Sequence, residues 1–339
     1  MITLKDLAAA VGVSASAVSL VLNGRDTGRV NPQTAQRIRE AAHDMGYIPN
    51  VLARGLKTRR THTIGIISDG VASVPFAGRM LEGVQSAAWD AGYLAMIIDT
   101  TGRPELVEQS SKSLMQRDIE ALVMAAEYHR MIEVPAIPPT IPVIVLDGVP
   151  DDPARADSVV PDEFGGAYAA TSHIVGAGHR RIAFCTVAGK HYIAGQLRLD
   201  GYRQALNDGG ITPDPALVIE LPDFSTATVF PLVKKLLDDP GRPTAVFCFS
   251  DRIAFACYQA CADLGLRVPD DLSIVGFDDQ RFIADALRPG LTTVRLPHFE
   301  MGSWAAAQAF SRIQGEAGAD HVAHKVTCPL VIRESVAPL

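Results

Sequence analysis

The run Thr3-Leu4-Lys5-Asp6-Leu7-Ala8-Ala9-Ala10-Val11-Gly12-Val13-Ser14-Ala15-Ser16-Ala17-Val18-Ser19-Leu20-Val21-Leu22-Asn23 reads as two short helices joined by a tight turn. Thr3 caps the first, with Asp6 three residues on as a capping-box partner, and Leu4, Leu7, Ala8 and Val11 make one apolar stripe. Gly12 supplies the backbone freedom the turn needs, Val13 is apolar at the bend, and Ser14 is a second N-cap, so a second helix starts at Ala15. Val18, Val21 and Leu22 share its inward face, which is expected to leave Ala15, Ser16, Ser19 and Leu20 pointing away from the core. Such a pair alone is compatible with any αα-hairpin. Arg29-Val30-Asn31-Pro32 then opens a third helix, with Asn31 as N-cap and Pro32 at the first helical position. Ala35, Ile38, Ala42 and Met45 form its buried stripe and Gly46 ends it. Three short helices close one small core, and the outward face of the second is the candidate base reader.

At 339 residues and 47% hydrophobic, the chain exceeds one ordinary domain and can bury sizeable cores. Its net charge of −7 is an average over unlike parts. Residues 1 to 60 hold nine Lys/Arg against four Asp/Glu, a surplus of five positive charges, so the remainder carries −12. The cationic part suits phosphate and the acidic remainder repels it. Five cysteines, an odd number, with no signal-peptide pattern ahead of Thr3, point to a reduced cytoplasm. Cys257 and Cys261, one turn apart, have no further ligand cluster nearby and are expected to be buried small hydrophobes; no metal site is expected. No apolar run approaches the roughly 20 residues of a membrane span.

Residues 50 to 63 form a linker in which Asn50 can cap a short helix through Lys57. Gly55 weakens that helix by roughly 1 kcal/mol relative to alanine, and so short a helix is expected to order only on a partner. Leu56 on this basic stretch is either a packed linker residue or an apolar group held for a partner. From His62 buried strands alternate with helical segments. Strands are expected over 62–68, 93–99, 120–125 and 141–147, with helices over 76–91 and 104–117. A second series has helices over 163–175, 196–207, 226–237 and 252–264, and strands over 181–187, 244–249 and 272–277. The Leu291–Val294 run, a helix over 300–313 and a strand near 330–333 complete the chain. The pattern is α/β, two doubly wound lobes after a helical headpiece.

The headpiece elements Thr3–Ala8, Gly12-Val13-Ser14, Val18-Ser19, Val21-Leu22-Asn23, Gly46-Tyr47-Ile48-Pro49-Asn50 and Ala53-Arg54-Gly55-Leu56-Lys57 are similar, in order, to the lactose-repressor (LacI-type) family of bacterial transcription regulators. In the body, Gly178–Phe184, Pro269–Asp278 and Leu291–Gly302 carry the same resemblance. It implies a helix-turn-helix headpiece at 1–48, a hinge helix and linker at 49–61, and a periplasmic-binding-protein-like core. One lobe of that core would be 62–161 with 292–323, the other 162–291 with 324–339. It further implies a homodimeric repressor of double-stranded, pseudo-palindromic operator DNA, controlled by a small polar metabolite, most often a sugar, bound between the lobes. DNA contacts would fall on Thr3, Ser14, Ala15, Ser16, Ala17, Ser19, Leu20, Asn23, Arg25 and Arg29, and in the hinge on Asn50, Arg54, Leu56 and Lys57, with Leu56 entering the minor groove. Effector contacts would fall on Phe76, Asp147, Tyr192, Arg198, Phe224, Ser250 and Asp278.

Read as chemistry, Arg198 offers a rigid donor fork, Asp147 and Asp278 accept hydrogen bonds from hydroxyls or amines, and Phe76 and Phe224 could sandwich a ring. Equally, the charged residues could form an interlobe ion pair and the phenylalanines could be core. Several departures blur the ligand: Ser250 stands where many sugar-responsive members carry Asn, Pro75 precedes Phe76, and Tyr192 and Ala194 break a purine-responsive pattern. Ala15, Ser16 and Leu20 are smaller or less polar than common base readers, and Ala17 replaces a phosphate-touching Thr, so direct readout is expected to be modest. An enzyme on the same core is the rival reading, as is a small-molecule-binding protein. Gly176-Ala177-Gly178 lacks the third glycine of a dinucleotide loop, and neither a Walker A sequence nor a Gly-x-Ser-x-Gly elbow occurs. No cofactor is expected, and no leucine-heptad tail follows Arg333 to build a tetramer.

Overall fold

The computed structural model describes residues 2–47, 60–74, 76–187 and 192–339, which divide into two units at Thr61/His62. The expected hinge helix, with Asn50, Arg54, Leu56 and Lys57, lies outside the described residues, as does Pro75.

The first unit is the three-helix bundle: α1 (Leu4–Val11), α2 (Ala15–Leu22) and α3 (Pro32–Asp44). Each begins where the sequence places a cap, at Thr3, Ser14 and Asn31, and Gly12 ends α1 at φ +72°, a conformation glycine adopts without strain. Leu7, Val11, Val18, Val21, Ala35 and Ile38 are buried together. Leu4, Leu22 and Met45 pack on them half-buried. Ala15 does too, which corrects its expected outward orientation. The first turn of α2 lies close against the bundle, so only part of that turn can face outward.

The second unit has two six-stranded sheets. One runs β11-β5-β4-β3-β1-β2 and is parallel throughout: β1 (Thr63–Asp69), β2 (Leu94–Asp99), β3 (Ala121–Ile132), β4 (Val143–Pro150), β5 (Asp157–Pro161) and β11 (Ala323–Val326). The other runs β12-β10-β9-β8-β6-β7, with β6 (Ile182–Val187), β7 (Val218–Leu221), β8 (Ala245–Cys248), β9 (Ser273–Asp278), β10 (Thr292–Arg295) and an antiparallel edge strand β12 (Leu330–Val331). Helices α4 (Gly78–Asp90), α5 (Glu105–Met115) and α11 (His298–Gln314) cover the first sheet. The helices α6 (Glu163–Gly176), α7 (Ile193–Asp208), α8 (Thr226–Leu237) and α9 (Asp251–Leu264) cover the second. The short α10 (Arg281–Ala284) follows β9. Central strands are buried along their length, as two-sided parallel sheets require.

Sheet membership moves two expected lobe boundaries. Thr292–Arg295 pairs with β9 in the second sheet, so the chain crosses back only before α11, and Ala323–Val326 pairs with β5 in the first sheet, so the last crossing follows Val326. The sequence run at Leu291–Val294 is apolar enough for either sheet, and only the ladder chooses. Strands β5, β7 and β11 were not expected; they are four or five residues long, and β7 and β11 are sheet edges with β5 next to one. Gly83 of α4 and Gly302 of α11 let these helices touch: a Cβ on either would collide with the other's backbone. All five cysteines are buried and unbridged.

Candidate functional site

In the bundle, Thr3 Oγ donates to the Asp6 carboxylate at 2.7 Å, and Asp6 N donates back to Thr3 Oγ at 3.3 Å. The Thr3 backbone N–H, donating to the same carboxylate at 2.8 Å, holds its pKa below the usual range. Ser14 Oγ accepts from Ala17 N at 3.2 Å. Both hydroxyls are exposed while capping their helices, so they can present helix N-termini to an anion. Ser16 is exposed, Ala17, Ser19 and Leu20 are half-buried, and Asn23 donates to the Ser19 carbonyl at 2.6 Å. The cations divide by task. Arg37 donates to the Val11 carbonyl at 3.0 Å and Arg39 pairs with Asp26 at 2.6 Å, tying the bundle together, whereas Lys5, Arg25 and Arg29 are exposed.

In the second unit, the carboxyl ends of β3, β4, β8 and β9 meet the first turns of α6, α7 and α11 around a cavity of about 30 Å³, room for about two waters. Phe76, Asp147, Arg198, Phe224, Ser250 and Asp278 all line it. Tyr192 does not; it stands edge-on to Tyr128 at 5.3 Å and to Phe224 at 6.2 Å between centroids. Ser250 caps α9 through Ile253 N at 3.4 Å, which occupies part of its hydrogen-bonding capacity.

Arg198 is the electrostatic centre. Its Nε donates to Glu163 Oε2 at 2.6 Å, both side chains being buried, and its Nη1 donates to the Phe249 carbonyl and lies 3.9 Å from Asp278 Oδ1. The guanidinium is also clamped between rings, 3.6 Å from the Phe277 centroid and 4.2 Å from that of Phe249. Arg198 is thus ion-paired within one lobe, to Glu163, rather than across the two lobes.

The aspartates sit on unusual backbone. Asp147, within β4, has φ +60° and Asp278, the last residue of β9, φ +110°, conformations that cost of order 1–3 kcal/mol each, and both residues line the cavity. Burial raises both carboxyls, Asp147 well above its ordinary range and Asp278 to about 7. Asp251, beneath the β9 turn, accepts from Thr293 Oγ1 and from Gln280 N, each at 2.6 Å, and so fixes the loop that carries Asp278.

Several lining groups escaped the sequence reading. Register in the β3–β4 ladder shifts between Ala125 and Arg130, a bulge that turns Glu127, Tyr128 and His129 into the cavity. The strand was expected to stop at Ala125, and nothing in the run after it signals a bulge. His298, two residues before the expected start of its helix, enters at the second crossing; its Nδ1 donates to the Phe76 carbonyl at 3.1 Å, and burial pushes its pKa down to about 4. Burial also lowers His129. Asp147 Oδ1, both ring nitrogens of His129 and His298 Nε2 are buried without a hydrogen-bond partner. Native interiors pair nearly all such atoms, so four together in one cavity mark a place for a polar ligand.

Residues 3–50 match the bacterial regulatory proteins of the lacI family, and residues 171–336 match a periplasmic binding protein-like domain. The ribose operon repressor of Haemophilus influenzae is 33% identical, over 93% of this chain and 92% of that one. The HTH-type transcriptional regulator DegA of Bacillus subtilis is 33% identical, over 99% and 98%. The solved transcriptional regulator CelR–cellobiose complex superposes with a TM-score of 0.68 at 28% identity, covering 99% of this chain and 100% of that one. Bundle and two-sheet core together define a DNA-binding regulator with a ligand-binding body. The chain belongs to the lacI family of bacterial regulatory proteins. Among the described residues no single helix is long and apolar enough to cross a bilayer.

Proposed function

We propose that this protein is a cytoplasmic homodimeric repressor whose hold on a pseudo-palindromic operator is set by a small polar metabolite, a sugar in the leading case, bound between the two sheets. The observation that carries the reading is the cluster of unpaired buried polar atoms at Asp147, His129 and His298, in a chain that also owns a cationic helix-turn-helix bundle. Asp147 and Asp278 accept ligand hydroxyls, Arg198 braces one carboxylate and presents its fork, and Phe76 and Phe224 supply apolar walls. Tyr192 takes part by backing Phe224. The relatives named for ribose and cellobiose favour a sugar.

On DNA, Ser16, Ser19 and Leu20 face bases, with Ala15 and Ala17 near the backbone, while Asn23, Arg25, Arg29, Arg54 and Lys57 meet phosphates. The exposed capping groups Thr3 and Ser14 set helix ends against phosphate, and Asn50 starts the hinge that places Leu56 between bases in the minor groove. Closure of the lobes on the ligand changes dimer geometry and hinge order, and so operator affinity. A mobility-shift assay on double-stranded fragments flanking the coding sequence, at low salt, tests this. A retarded band that responds to sugars supports it, and no retention of any fragment with or without sugars overturns it. Leu56→Ala should weaken operator binding and reduce bending; unchanged affinity and bending would remove the hinge role.

A further inference from the structure

We infer that Glu120, acting with Tyr93, is a positioning residue for DNA recognition: its carboxylate fixes the backbone at His62, and so the direction in which the chain leaves β1 toward the headpiece. The inference rests on the operator-binding reading above and extends it to a residue that touches neither DNA nor effector.

His62 is the first residue of the second unit, and its φ of +52° lies in the left-handed region, where a residue with a side chain persists when its surroundings over-determine it. Those surroundings are specific. Its N–H donates to Glu120 Oε1 at 2.7 Å and its carbonyl accepts from Leu94 N at 2.8 Å, so both of its backbone groups are engaged. The second oxygen of the same carboxylate, Oε2, accepts from the Tyr93 hydroxyl at 3.0 Å, and the Tyr93 ring meets the His62 imidazole edge-on at 5.1 Å between centroids. Glu120 N donates to the Thr63 carbonyl at 2.8 Å, which sets the carboxylate beside His62.

This clamp belongs to the body of its lobe. Tyr93 is buried, and its ring lies 4.7 Å from that of Phe310 in α11, the helix whose first residue, His298, lines the cavity. Cavity and clamp are thereby joined by one continuous helix. Glu120 is half-buried and His62 exposed, beside a strand already laddered on both sides by β2 and β3. The carboxylate adds little to that sheet, whereas it decides one backbone direction. Losing that direction harms specific recognition more than general attraction, because base contacts need the recognition helix in one orientation while phosphate attraction tolerates many.

The test uses the full chain and two duplexes of equal length: the fragment flanking the coding sequence that the wild-type protein retains most tightly, and the same bases in scrambled order. Mobility shift reads both affinities and thermal melting checks folding. Glu120→Ala should lower affinity for the retained fragment by about 10-fold or more and that for the scrambled duplex by less than about twofold. Glu120→Gln, which keeps an oxygen to accept from His62 N, should stay within about threefold of wild type, with Tyr93→Phe between the two. A merely structural role would lower both affinities together or neither. If Glu120→Ala does not fold, Tyr93→Phe, which loses only a hydroxyl, decides by the same comparison. An unchanged ratio between the two duplexes overturns the inference, whether both affinities hold or both fall. Failure of the wild-type protein to retain any fragment removes the regulator reading and this inference with it, whereas a wild type that binds and variants that match it remove the inference alone.

Discussion

Arg198 shows how far one side chain can serve both stability and recognition. Its pairing with Glu163 is buried on both sides, so removing the cation strands a carboxylate in the interior. Arg198→Ala should cost about 3–5 kcal/mol in unfolding experiments without any ligand, whereas a purely ligand-facing arginine would leave the melting temperature nearly unchanged. Asp278 predicts a pH signature. Burial raises its carboxyl to about 7, above its unfolded value, so its contribution favours the folded chain at low pH and is lost as pH rises through about 7. Ligand-free thermal stability should therefore fall from about pH 4 to about pH 7 and level off above, and Asp278→Asn should flatten that fall. Ligand hydroxyls reverse the sense of the effect, because they favour the ionised carboxylate. Calorimetry in buffers of different ionisation enthalpy should show proton release on sugar binding near pH 6, and less at pH 8. The candidates Asp147, Arg198 and Asp278 could be named from residue type and position. That Arg198 is already shared with Glu163 could not, because the partners are 35 residues apart and meet only when α6 and α7 pack.

At the scale of elements, caps and glycines carry the local instructions. Ser14 is the N-cap of a helix with only eight residues, so Ser14→Ala should destabilise the bundle by about 1 kcal/mol and weaken DNA binding, measurable by melting and mobility shift. Gly83 and Gly302 face each other's backbones where α4 crosses α11. Gly302→Ala must push the helices apart and should cost about 1–3 kcal/mol, read as a lowered melting temperature. The capping pattern of α1 to α3 was legible because it depends on neighbours three or four residues away. The bulge after Ala125 was not. It arises from how β3 and β4 fit side by side, and it is what delivers Glu127, Tyr128 and His129 to the cavity.

Over the whole molecule, the cationic first 60 residues and a remainder of −12 predict strongly salt-dependent DNA affinity. Replacing Arg25 or Arg29 by alanine should reduce the magnitude of the log K against log salt slope by about one for each bound chain, one phosphate contact apiece, without changing sequence preference. A change in preference instead would mark that arginine as a base reader. The sequence by itself determined the three capped helices, the charge division and the alternation of buried strands with helices, because each is a matter of short-range periodicity and composition. Tertiary structure alone decided which sheet takes Thr292–Arg295 and Ala323–Val326, that Ala15 packs inward, and that Glu163 holds Arg198 beside unpaired Asp147, His129 and His298. Those outcomes depend on ladder register, helix crossing and desolvation between segments far apart in the chain, and no local pattern encodes them.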